Sequence, residues 1–184
     1  MKKFLIILVV VAVVIGLYAW ATYNKMVTAN EVMDNMWAQV ETQYQRRFDL
    51  IPNLVESVKG AMTQEQKVFG DLAEARTRYT GAQTVNQKAE AAGQVESALG
   101  RLLVIMENYP QLKSVETVQT LMAQLEGTEN RISVERKRFN DAARDFNVMV
   151  KRIPAKWLAA MFGFSEKAYF EAAAGSENAP AVKF

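Results

Sequence analysis

The chain has no cysteine and no histidine among its 184 residues. It therefore lacks the usual imidazole base, the thiolate nucleophile and the His or Cys ligands of zinc sites. It also lacks the glycine-rich loops that bind nucleotide phosphates. Carboxylates alone could hold a metal, through Glu65, Glu107 and Glu129, but acidic side chains near the seam of a helical bundle pair more often with arginine. We expect no enzymatic activity, no metal and no cofactor.

Charge of one sign is not in excess either. The chain has 22 basic and 20 acidic side chains, and without Lys2 and Lys3 the balance is 20 against 20. One basic cluster, 136–138, follows Glu135 and is followed by Asp141. This arrangement is typical of a helix face with mixed charges rather than of a phosphate-binding track, so we expect no nucleic-acid partner.

A long apolar segment is what the chain does have. Residues 4–22 contain no charged side chain, and as a helix they would be roughly 28 Å long, close to the thickness of a bilayer core of about 30 Å. Tyr18, Trp20 and Tyr23 cluster at one end, as at a lipid–water boundary. The alternative is a cleaved secretory signal, with Ala19-Trp20-Ala21 as the site, but the bulky tryptophan and the segment's length favour a single-pass membrane anchor.

The orientation of this anchor follows from the flanking positive charges. Lys2, Lys3 and the α-amino group precede the segment, and only Lys25 lies close behind it. Because positive charge is retained in the cytoplasm, we expect a cytoplasmic N-terminus in the bacterial inner membrane, with the remaining chain in the periplasm. The margin is two lysines, so a cytoplasmic domain remains the alternative.

The rest of the chain has helical periodicity. Apolar residues recur every three or four positions in three stripes: 33–79, 85–106 and 118–153. They predict an all-α, up-and-down helical bundle. The first stripe is either one long helix or two helices joined near Pro52, and we expect a kink or break between Phe48 and Pro52.

The predicted layout has five parts. A basic flank (1–3) precedes the anchor (4–22), the bundle domain (23–153), a short aromatic helix (154–171) and a mobile tail (172–184). The aromatic helix either caps the bundle or forms a surface that meets lipid or a neighbouring subunit, and the candidate interface residues are Trp157, Phe162 and Phe164.

Polar residues beside the apolar stripes predict a buried network near the kink. Its expected members are Arg46, Asp49, Asn53, Glu129, Asn130 and Arg131. The alternative is that most of these side chains lie in water at the edge of the seam.

Several long motifs in a fixed order give the chain a recognisable likeness. They are RRFDLIPNLV (46–55), ENYPQLK (107–113) and LEGTENRI (125–132), followed by residues 136–140. On these motifs the chain resembles the LemA family over nearly its whole length. Phe139 and Phe146 stand where the family prefers tyrosine, which removes a hydroxyl group but keeps the ring.

The resemblance implies a membrane-anchored four-helix bundle without an established enzymatic activity. One magnetosome protein of the family is implicated in shaping internal membranes, and some members lie beside a membrane metalloprotease gene. We expect a self-associating scaffold whose partners are membrane lipid and copies of itself; the alternative is an adaptor for another envelope protein, such as a protease or its substrate. The motif positions that we interpret as structural or assembly determinants are Arg46, Arg47, Asp49, Pro52, Asn53, Glu129, Asn130 and Arg131.

Overall fold

The computed structural model describes residues 1–170, and every regular element within them is helical. The predicted all-helical class is confirmed. The predicted mobile tail, 172–184, lies outside the described residues. The elements are α1 (Lys2–Lys59), α2 (Gln66–Gly81), α3 (Val85–Met106), a 3-10 helix (Pro110–Ser114), α4 (Glu116–Lys151) and α5 (Ala155–Met161).

Helix α1 contains Pro52 in its interior and ends only at Lys59. The first interruption is therefore 60–65, and the alternative of two helices joined near Pro52 is wrong. Proline removes one backbone hydrogen bond, but the residues around it supply compensating packing, since Phe48, Ile51 and Leu54 are all buried. Tertiary packing of an apolar face, more than local propensity, stabilises most protein helices.

Helices α2 and α3 pack against each other, and the turn between them has a clear local cause. The Thr84 hydroxyl accepts a hydrogen bond from the Gln87 backbone, and the Gln87 side chain accepts one from the Thr84 N–H, 3.2 Å in each case. This capping box satisfies two amides at the start of α3. The bounds of α3 coincide with the predicted stripe, 85–106.

Helix α5 ends at Met161, so the helical part of the predicted 154–171 segment is shorter than expected. Gly163 has a φ of 77°, in the left-handed region that glycine tolerates. The Phe164 N–H donates to the Ala159 carbonyl oxygen at 2.9 Å. This is the bond of a Schellman motif, which closes a helix at its C-terminus.

The chain divides into two compact units. The first comprises residues 1–38 and 137–169, and the second comprises 39–136 with Phe170. The first unit has a core of Met26, Phe146, Val150, Ala155 and Ala159. In the second unit the largest fully buried side chains include Tyr44, Leu54, Leu72, Leu99, Leu102 and Ile132.

Candidate functional site

The second unit contains a charged cluster, which we define as Tyr44, Arg47, Glu96, Glu129 and Arg136. Arg136 Nη2 lies 2.8 Å from Glu96 Oε1, and Arg136 Nε donates to Tyr44 Oη at 2.8 Å. Arg47 forms an ion pair with Glu129, and its Nη1 lies 3.8 Å from Glu96 Oε1. The charged cluster therefore links α1, α3 and α4 through side-chain contacts.

Arg47 is the most deeply buried charge of this cluster. Its side chain is 8% exposed, whereas that of Glu96 is 23% and that of Glu129 is 49% exposed. The position follows from helical spacing, because Arg47 lies three residues after Tyr44 and four before Ile51, both of which are buried. A buried charge must be paired to be tolerated, and here both carboxylates supply that pairing.

Burial also sets the protonation of the cluster. It raises the pKa of Tyr44 to about 12, although the charge of Arg136 acts in the opposite direction. Burial opposes the charge of Arg136, but Tyr44 and Glu96 outweigh it and raise the pKa of its guanidinium. Burial raises the pKa of Glu96 despite the two arginines. At neutral pH the phenol of Tyr44 is therefore neutral and Arg136 is charged.

Aromatic contacts extend the cluster to α2. The Tyr44 and Phe48 rings are stacked with centroids 5.8 Å apart, and Phe48 meets Tyr79 edge to face at 4.5 Å. The Tyr79 hydroxyl is buried without a hydrogen-bond partner. Burial is the main cause of the raised pKa of Tyr79, followed by the nearby Glu41 charge. All four main helices thus contribute to one set of contacts in this unit.

An apolar groove of about 750 Å³ opens between α3 and α4 in the second unit. Arg47 and Glu129 of the charged cluster are among its lining residues. The arrangement can hold an apolar chain or helix face next to a charged group. Its apolar lining comprises Leu99, Leu103, Val104, Met106, Val118, Met122, Ala123 and Leu125.

The predicted network is wrong in most of its members. Glu129 is in the charged cluster, but Asp49 on α1 is exposed and accepts a hydrogen bond from Gln45 of its own helix at 2.8 Å. Pro52 is half-buried. The remaining predicted members are exposed as well, because each lies on the solvent-facing side of its helix: Arg46, Asn53, Asn130 and Arg131.

Three members of the charged cluster were missed from the sequence. Arg136 fills the gap in the third stripe between Ile132 and Phe139, so the gap itself was a usable signal. Glu96 directly follows the buried Val95 and carried no such signal. Tyr44 was recognised as an apolar stripe residue, but not as the acceptor for an arginine.

The candidate interface residues of the first unit have different environments. Trp157 is 67% exposed, Phe162 contacts Tyr23 with ring centroids 4.9 Å apart, and Phe164 is half-buried and packs on Phe146 at 6.2 Å. Phe164 is thus a packing residue, whereas Trp157 presents most of its surface to the outside.

Asn147, which sequence reasoning did not single out, holds the segment after α5. Its side chain is buried, donates to the Lys167 carbonyl oxygen and accepts from the Lys167 N–H, both at 2.8 Å. The contact mimics a backbone pairing. It therefore fixes residues 162–167 against α4 within the first unit.

Glu65, Glu107 and Glu129 lie respectively before α2, after α3 and within α4. Within residues 1–170, no group of three or more acidic side chains is arranged to hold a metal ion. The carboxylate site considered from the sequence is therefore not formed by the described residues.

One helix in the described part of the chain, α1, is long and apolar enough to cross a membrane. Its most apolar stretch is not buried inside the protein. An unburied apolar helix of this length is unlike the core helix of a water-soluble domain. The chain thus has a candidate N-terminal transmembrane helix.

These features define a membrane-associated, all-helical protein. Residues 36–184 match the LemA family, and the chain belongs to the LemA family. It is 30% identical over 175 residues to the magnetosome proteins MamQ 2 and MamQ 1 of Paramagnetospirillum magneticum, covering 81% of this chain and 64% of each relative. It is 28% identical over 174 residues to the magnetosome protein MamQ of Magnetospirillum gryphiswaldense, covering 80% and 64%. The chain thus spans less than two thirds of the length of these relatives.

Proposed function

We propose that this LemA-family protein is a non-enzymatic scaffold whose copies associate side by side on a bacterial inner membrane and organise it. The observation that carries the proposal is the continuity of α1. The apolar segment and the packed part of α1 belong to one unbroken helix, Lys2–Lys59. The charges flanking the segment favour a cytoplasmic N-terminus and a periplasmic domain.

The anchor helix is part of the first unit's core. Met26, four residues after the apolar segment, is fully buried with Phe146 and Val150 of α4. The anchor therefore orients every copy of this unit in the same way relative to the membrane. Shared orientation and confinement to two dimensions raise the effective concentration for lateral contact. Heterologous contacts between identically oriented copies produce rings or open arrays.

The exposed motif residues are the proposed assembly contacts. Arg46, Asp49 and Asn53 recur at intervals of three and four on α1, and Asn130 and Arg131 are exposed on α4. Such polar residues are available to a neighbouring copy, whereas the charged cluster is occupied by internal pairing. We further propose that α1–α4 form an antiparallel four-helix bundle and that Pro52 kinks α1.

The relatives give this proposal its membrane context. They are named as magnetosome proteins, and for this chain we propose a comparable role at a membrane. The alternative is a membrane-tethered adaptor for another envelope protein, such as a protease or its substrate. The observation that favours this alternative is the apolar groove between α3 and α4, which is large enough to receive part of a helix.

Site-specific crosslinking in membranes tests the proposal. Because the chain has no cysteine, two differently tagged single variants, Asn53→Cys and Asn130→Cys, can be produced together, each with one reactive thiol among the proposed contacts. We expect a bismaleimide to join the two tagged proteins as dimers in native membranes, and to give little dimer when the matched control Ser97→Cys, an exposed position on α3, replaces Asn53→Cys. Equal dimer yield from both pairs, or none from either, would contradict the scaffold. Crosslinking to one different protein would favour the adaptor.

A further inference from the structure

The first unit leaves large apolar side chains exposed just after α4. Ile153, Trp157 and Met161 are 71%, 67% and 68% exposed, and they follow one another at intervals of four. We define these three residues as the apolar ridge. Trp157 and Met161 lie one helical turn apart on the same face of α5. Ile153 lies two residues before α5 begins. Large exposed apolar side chains concentrated in a short segment usually mark an interaction surface.

The opposite face of α5 packs against α1. Ala155 and Ala159 are buried with Met26 in the core of the first unit. Residues two positions apart on a helix point in nearly opposite directions, so Trp157 and Met161 face away from this core. The core contacts therefore fix the position of the ridge and leave it uncovered within the first unit.

The same contacts place the ridge near the end of the anchor. Tyr23 immediately follows the apolar segment, and its ring lies 4.9 Å from Phe162. Met26, the contact of α5 on α1, is four residues beyond Thr22, or roughly 6 Å along the helix axis. The polar layer of a bilayer extends roughly 5–7 Å beyond each side of the hydrocarbon core. Helix α5 therefore lies at the depth of the lipid headgroups when the anchor spans the membrane.

From this geometry we propose that the apolar ridge inserts into the lipid–water interface of the membrane, next to the point where the anchor leaves it. Tryptophan is favoured at this depth because its ring is apolar and its N–H can reach water. Arg152 directly precedes Ile153, and Lys156 directly precedes Trp157; both are exposed. Basic residues at a membrane surface attract anionic lipid headgroups. The occupant is thus a bilayer surface containing anionic lipid.

The inference rests on the anchor of the proposed function, but not on its orientation. The ridge lies on the C-terminal side of the anchor, so it meets whichever leaflet the anchor leaves on that side. The second interfacial contact would hold the first unit at two points instead of one. Rotation of the first unit about the axis of the anchor would then be restricted.

Spin labelling of the full-length protein in vesicles of phosphatidylcholine and phosphatidylglycerol tests the inference. Single labels are attached at Ile153→Cys, Trp157→Cys and Met161→Cys in separate proteins. The measured quantity is the ratio of collision rates with oxygen, which concentrates in lipid, to those with a water-soluble nickel complex. The controls are Tyr18→Cys in the anchor and Val134→Cys, an exposed apolar position on α4 of the second unit.

We expect the ratio at all three ridge positions to be several-fold higher than at Val134→Cys and to approach that at Tyr18→Cys. A ridge ratio equal to that of Val134→Cys would overturn the inference. Strong dipolar broadening between ridge labels would also overturn it, because a second copy would then cover the ridge. If Tyr18→Cys gives a high ratio while the ridge does not, only this inference fails. If both give low ratios, the anchor of the proposed function fails as well.

Discussion

Arg47 of α1 and Glu129 of α4 form an ion pair between a buried guanidinium, 8% exposed, and a carboxylate that is 49% exposed. The two partners therefore differ in how strongly they depend on the ion pair. Arg47 requires compensation for its lost hydration, whereas Glu129 can be hydrated without it. Glu96 offers Arg47 a second carboxylate at 3.8 Å.

This asymmetry predicts unequal effects of removing each partner. Glu129→Ala should lower the free energy of unfolding by about 1–2 kcal/mol, below the roughly 3–5 kcal/mol typical of stranding a fully buried charge, because Glu96 remains. Arg47→Met should change it by less than about 1 kcal/mol, because a half-exposed carboxylate needs no partner. Urea unfolding followed by circular dichroism measures both.

The double variant provides the control for this pair. Once Arg47 is methionine, Glu129→Ala should cost almost nothing more, so that the coupling energy equals most of the single-variant loss. Additive losses would show that the two side chains stabilise the protein independently.

The raised pKa of Tyr44 predicts a change at alkaline pH. The phenol has a pKa of about 12 in the folded protein against an ordinary value of 10.0. Its contribution to stability is therefore complete below pH 10 and is lost as the pH rises through about 12, because deprotonation is easier in the unfolded chain. Between these values the free energy of unfolding should fall more steeply for the wild type than for Tyr44→Phe.

The measurement is a series of urea titrations from pH 9 to pH 12 on both proteins, with Tyr109→Phe as the control outside the charged cluster. Parallel pH dependences of the wild type and Tyr44→Phe would mean that the phenol is accessible to hydroxide in the folded protein.

Asn147 should control the order of the segment that follows α5. Asn147→Ala removes both hydrogen bonds to Lys167 and should lower the free energy of unfolding by about 1–2 kcal/mol. Hydrogen exchange at the Lys167 amide should become faster. Asn130→Ala, at an exposed position of the same helix, should change neither quantity. Unchanged exchange in Asn147→Ala would show that the packing of Phe164 alone holds the segment.

Pro52 should affect assembly more than folding. Pro52→Ala restores a backbone donor for the Phe48 carbonyl and should straighten the proposed kink. We expect helix content by circular dichroism to remain the same and the particle mass in mild detergent to change. The matched substitution is Ser97→Ala, at an exposed position of α3 that is outside the proposed assembly contacts. Unchanged mass and helix content in Pro52→Ala would show that a kink at Pro52 has no role in assembly.

Local signals were sufficient for several elements. The stripe from Val85 to Met106 predicted α3, since apolar spacing acts within one helix. The apolar segment 4–22 was equally clear, because its length and lack of charge are visible directly. The end of α5 was less clear: the predicted helix included Gly163, whereas Gly163 has a left-handed conformation and the next residue, Phe164, packs on Phe146.

Pairing between helices was not predictable in the same way. Periodicity places Arg47 on a buried face, but it does not say that Glu96 and Glu129 lie opposite. Likewise, Pro52 favoured a break from local sequence alone, yet α1 continues past Pro52, where Phe48, Ile51 and Leu54 are packed in the core. Interactions between residues distant in sequence decided both cases.

The particle mass of the full-length protein in nanodiscs or mild detergent, determined by light scattering with the lipid or detergent contribution subtracted, tests the scaffold most directly. We predict a particle mass that is a discrete multiple of the 20.7 kDa chain, and a smaller mass when Arg46, Asp49 and Asn53 are replaced together by alanine. A monomer at all concentrations, unchanged by these substitutions, would contradict it.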